Sequence, residues 1–131
     1  MSLLVYGMTL HEYLHAFREA IDKIDRYGYA ESVDIHQEVR AGKQALLQVT
    51  VVLVDGSSLH IKEYINAMYG VEKVSYGYQY QDVNGDVIFR YDNAAHKPLL
   101  KCKEHKHVKN QIVEMPPPDI ADLVDEVINY L

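Results

Sequence analysis

The chain holds a single cysteine, Cys102, so no disulfide can close within it. That fits a reducing compartment such as the cytoplasm. No stretch approaches the roughly 20 consecutive apolar residues of a membrane-spanning helix, which sets membrane insertion aside. The first residues lack a basic segment leading to a small-residue cleavage site, so no signal peptide is expected. Internal repeats, low-complexity tracts and linkers are also missing, and 131 residues suit one domain over 1–131 with an adequate core. Positive charge is in short supply: the net charge is −6. That argues against a general nucleic-acid coat protein.

The scarce positive charge is concentrated. Between His96 and Lys109 lie Lys97, Lys101, Lys103, Lys106 and Lys109 against Glu104, a local +4 that leaves −10 on the rest. Three of the seven histidines, His96, His105 and His107, fall in the same segment. A basic patch on an acidic body can bind phosphate at one place, or can simply be a solvated loop.

Periodicity predicts the elements around it. Thr9-Leu10-His11-Glu12 reads as a capping box, and Leu10, Leu14, Phe17, Ile21 and Ile24 recur at helical spacing to about Arg26. Period-2 alternation follows in Val33–Arg40, Leu59–Ile65 and Val74–Tyr80, Leu46–Val54 is largely apolar on both faces as a central strand would be, and Val87–Tyr91 is the returning strand. Asp55-Gly56 and Asn84-Gly85 are hairpin signals between them. Met115–Pro118 is a stiff connector, and Asp119 caps a last helix with Leu123, Val124, Val127, Ile128 and Leu131 as its stripe. The expected fold is therefore α+β: a five-strand antiparallel meander with an N-terminal and a C-terminal helix packed on one face. The other face would present His36, Glu38, Arg40, His60, Lys62, Arg90 and Asp92. It is either the wet side of a half-buried sheet, the floor of a site, or an interface, including one between two copies in a homodimer.

Three chemistries compete. His11-Glu12-Tyr13-Leu14-His15 fits the zinc-protease pattern H-E-x-x-H, but no H-x-x-G-x-x-H continuation follows and Glu12 is already engaged as a capping residue. His105 and His107 project to one side of a strand and, with His96 or Asp92, would make three metal ligands. The surrounding lysines oppose a dication, so no metal and no cofactor is expected. The third is acid–base cleavage of RNA. One histidine takes the proton of a ribose 2′-hydroxyl, another protonates the leaving 5′-oxygen, and Arg90 or a lysine stabilises the phosphate. The candidate catalytic residues are His96, His105, His107 and Asp92, with Asp92 fixing a tautomer. Arg90, Lys106, Tyr91 and Asn93 are the substrate-binding candidates. Tyr76, Tyr78 and Tyr80 read as sheet packing more readily than as a base-stacking platform.

The run Tyr78-Gln79-Tyr80-Gln81-Asp82 with Asn84-Gly85, then Ile88-Phe89-Arg90-Tyr91-Asp92-Asn93-Ala94, His96 and His105-Lys106-His107-Val108 resembles the TumE-like family of toxin–antitoxin proteins, small proteins of bacteria and archaea. The resemblance covers about residues 30–131. Ala95 stands where proline is common, Lys97 where a second histidine often follows, and Glu104 where histidine is frequent. The resemblance implies a toxin neutralised by a small helix-turn-helix antitoxin encoded beside it. RNA as the substrate is an inference from the residues. The alternative is a non-catalytic module that binds a partner through the polar sheet face and the basic loop.

Overall fold

A computed structural model describes residues 4–5, 7–94 and 104–131. Its first helix, α1 (Leu10–Arg26), begins where the capping box says it should. The Glu12 amide donates to Thr9 Oγ1 at 3.1 Å and the Thr9 amide to Glu12 Oε1 at 3.2 Å, so two otherwise orphaned donors are satisfied. Gly28, at φ +75°, takes the left-handed conformation that ends the helix. Phe17, Ile21 and Ile24 are buried along its inner face.

Next come β2 (Ala30–Arg40), β3 (Gln44–Leu53), β4 (Ser58–Asn66), β5 (Val71–Gln81), β6 (Val87–Asp92), β7 (His105–Val108) and β8 (Gln111–Glu114), an antiparallel meander in sequence order. A two-residue strand, β1 (Leu4–Val5), pairs with β5. The last helix, α2 (Ile120–Ile128), is capped by Asp119, whose Oδ1 accepts from the Asp122 amide at 2.8 Å.

The expectation of five strands is corrected. The late segment read as a long loop contributes β7 and β8, four residues each. Their hairpin turns at Lys109, whose φ is +54°. Glycine or asparagine usually occupies such a position, so a lysine there hides the turn. Short strands rich in lysine and histidine also carry little apolar alternation.

Both helices pack on one sheet face. Leu47, Val49, Val51, Leu59, Ile61, Tyr78, Tyr80 and Phe89 point towards them and join Leu123, Val124 and Val127 in a single core. A polar knot lies under α1. The buried Glu63 carboxylate accepts from the hydroxyls of Tyr13 and Tyr78, and Lys73 Nζ lies 3.4 Å from it and 3.2 Å from the Pro118 carbonyl. Burial first, then the Glu63 charge, holds both tyrosine hydroxyls protonated well above their ordinary range. The opposite face carries no helix among the described residues.

Candidate functional site

Strand register lines up two rungs across the open face. One runs His36, Gln48, Lys62, Gly77, Asp92, His105. The other runs Asp34, Thr50, His60, Gln79, Arg90, His107. These residues share a face because side chains alternate along each strand. Pairing of β6 with β7 sets Asp92 opposite His105 and Arg90 opposite His107.

Asp92 is the hub. It is 4% exposed, and each of its oxygens is engaged. Oδ1 lies 2.5 Å from His105 Nε2 and accepts from the Ala94 amide at 3.2 Å. Oδ2 accepts from Arg90 Nε at 2.7 Å and lies 3.5 Å from His107 Nε2. Burial alone would raise this carboxyl. The Arg90 hydrogen bond, the His105 ring and the Ala94 amide outweigh it and hold the group below its ordinary value. His105 is wholly buried, whereas His107 is about a quarter exposed and Arg90 more so. Arg90 and the His107 ring, though not its buried Nε2, are therefore what solvent can reach.

Gly77 makes the pose of Arg90 attainable. A Cβ at this position would lie 2.7 Å from Arg90 Nη2, closer than side-chain contacts allow. The guanidinium occupies the space a side chain would fill, and its Nη1 donates to Gln79 Oε1 at 3.2 Å. It opens on a cleft of about 750 Å³ whose lining includes His36, Thr50, His60, Lys62, Arg90 and Asp92.

Of the residues expected from sequence, Arg90, Asp92, His105 and His107 are brought together. His96 lies outside the described residues. Asn93 stands at the cleft rim, where its side chain accepts from the Tyr76 amide at 3.1 Å and donates to the Val74 carbonyl at 3.0 Å. Tyr91 and Lys106 point the other way. Lys106 Nζ pairs with Glu126 of α2 at 2.6 Å and lies 5.1 and 4.7 Å from the Phe89 and Tyr91 ring centres. The Tyr91 hydroxyl donates to the same glutamate at 2.7 Å. Alternation on β7 already separated Lys106 from its two histidine neighbours. His36 and His60 line the cleft too, and their shared rungs with the site follow only from strand register.

Asp92, His105 and His107 offer three donor atoms within 4.8 Å of one another, a nitrogen and oxygen set of the kind that holds zinc-like ions. The fit is poor in charge. Arg90 already holds the carboxylate, and a dication there would face a fixed guanidinium.

A small α+β protein thus holds a buried carboxylate that braces one arginine and two histidines at the edge of an open cleft, groups of the kinds that acid–base chemistry and anion binding use. The sequence pattern of the family described as Toxin TumE matches residues 18–131. The chain belongs to this toxin family. It is thus the toxin of a toxin–antitoxin system, and membership implies an antitoxin partner. No curated protein and no solved structure matches the chain. No helix among the described residues is long and apolar enough to cross a membrane.

Proposed function

We propose that this toxin cuts RNA by acid–base chemistry that needs no metal. The observation that supports it is the Asp92 hub, which spends a buried charge on fixing one cation and one reachable imidazole side by side. Arg90 is matched to the charge that builds on the phosphate in flight. His107 is the reachable acid or base, oriented by Asp92. His105, being buried, is a positioning residue that holds the carboxylate from behind. His96 is the second imidazole of the pair on sequence grounds. In the reaction the base removes the 2′-hydroxyl proton and the 2′-oxygen attacks phosphorus. The 5′-oxygen leaves with a proton from the acid. The products are a 2′,3′-cyclic phosphate and a free 5′-hydroxyl.

The partner in this reading is a helix-turn-helix antitoxin encoded nearby, and the setting is prokaryotic cytoplasm. The open face is also where a second copy would pack, which light scattering reads directly. The test of function is induction with and without the adjacent gene, with RNA ends sequenced. Growth arrest with new cuts, lost in His107→Ala and Arg90→Ala, supports the proposal. Arrest with intact RNA contradicts it.

A further inference from the structure

The middle of the open face holds chemistry that the Asp92 hub does not use. Lys62 on β4 is exposed and makes no ion pair among the described residues. It pairs in register with Gly77, the glycine over which the Arg90 guanidinium lies. Neighbouring strands are about 5 Å apart, so the lysine stands one strand away from a guanidinium that itself covers Gly77. On the adjacent rung His60 is half-buried, and its Nε2 lies 3.0 Å from Ser58 Oγ, which fixes the ring. All these groups except Ser58 line the one cleft.

The two carboxylates of the cleft do not cancel this arrangement. Asp92 is buried and engaged by Arg90 and His105. Asp34 is on β2, two strands away from β4, at the far end of the cleft. The half between β4 and β6 is therefore positive, and the Arg90 guanidinium covers the glycine within it.

We infer that this half of the cleft is a phosphate seat: Lys62 and the Arg90 guanidinium, which itself covers Gly77, clamp one phosphate of the substrate between them, with His60 in hydrogen-bond reach at its rim. Flat guanidinium geometry gives two parallel donors to phosphate oxygens, and the lysine adds a point charge from the other side. A side chain at position 77 would push the guanidinium out of this pose. The inference rests on the RNA-cutting reading, because it names where that substrate's backbone is held.

The test uses two probes on the whole chain: inorganic phosphate, and a trinucleotide RNA made uncleavable by 2′-deoxyribose at its first two positions. Binding is followed by calorimetry and by NMR shifts. Lys62→Ala is the main variant, since an exposed lysine without an ion-pair partner can be removed without unfolding the sheet. Lys43→Gln is the control on an exposed lysine outside this cleft. The expected result is at least tenfold weaker trinucleotide binding for Lys62→Ala, unchanged binding for the control, and a salt slope lower by about 0.7, the loss of one phosphate contact on a single strand. His60→Gln is expected to weaken binding by a smaller factor. Wild-type affinity and slope in Lys62→Ala would overturn the seat, as would phosphate shifts confined to residues away from β4–β6. The two readings fail separately. Phosphate binding lost in Lys62→Ala, in a toxin that leaves cellular RNA intact, upholds the seat and removes RNA as substrate. RNA cut at the wild-type rate by Lys62→Ala upholds RNA and removes the seat.

Discussion

Gly77→Ala isolates the placement of one guanidinium. The added Cβ would lie 2.7 Å from Arg90 Nη2 and 3.4 Å from Cζ, where ordinary contact begins near 3.4 Å. The guanidinium must therefore withdraw by about 0.7 Å, and it can, because it is the end of a flexible, partly exposed side chain. Gly77 has no positive φ, so alanine fits the strand backbone. Alanine in a strand is worth roughly 0.5–1 kcal/mol over glycine, and the Arg90–Gln79 hydrogen bond at risk is worth about the same, so stability should change by less than ~1 kcal/mol. Function should respond far more, since a misplacement of about 1 Å in a group that meets the reacting phosphate can cost on the order of 100-fold. Urea unfolding gives the first quantity. The inducer dose needed for growth arrest, with the yield of RNA cuts, gives the second. An equally stable variant that cuts RNA at the wild-type rate would refute the idea that the pose of Arg90 matters.

Further outcomes follow from the same contacts. Asp92→Asn leaves a buried histidine and an arginine without their anion and should cost about 2–4 kcal/mol in urea melts. Because the Asp92 carboxyl sits below its ordinary 3.8 when folded, its contribution is present above 3.8 and is lost as pH falls through the lower folded value. That acid-limb component should be missing from Asp92→Asn. Lys106→Met should lower stability by about 1–3 kcal/mol through the loss of Glu126, measured by thermal melts, while RNA cutting persists. The buried tyrosines Tyr13 and Tyr78 ionise above their ordinary value of 10.0 in the folded chain, so their contribution is complete below pH 10 and is lost as pH rises beyond it. Phenylalanine at both positions should flatten that alkaline limb of the stability profile, while leaving the buried Glu63 short of two donors and the protein less stable throughout.

Local signals carried most of the fold. The Thr9 capping box, the Asp119 cap and the Asn84-Gly85 turn each report a hydrogen bond or a φ that a few neighbouring residues determine. The last hairpin escaped because its strands are four residues long and its turn sits on Lys109. At the site, the nearness of Asp92 to His105 and His107 depends on β6 pairing with β7 across a long connection, which no local pattern encodes. Residue type had suggested the members, but only register decides that His105 and His107 face Asp92 while Lys106 faces Glu126. The Glu63 knot was illegible for a different reason. A glutamate in an alternating strand normally reads as solvent-facing, and its partners come from α1 and β5.

The most direct test of the central claim is incubation of purified toxin with RNA in excess EDTA, followed by analysis of the new ends. The account predicts cutting that survives the chelator, leaves 2′,3′-cyclic phosphate and 5′-hydroxyl ends, and disappears in Arg90→Ala and His107→Ala. Cutting abolished by EDTA and restored by a dication, or undiminished in those two variants, would contradict it.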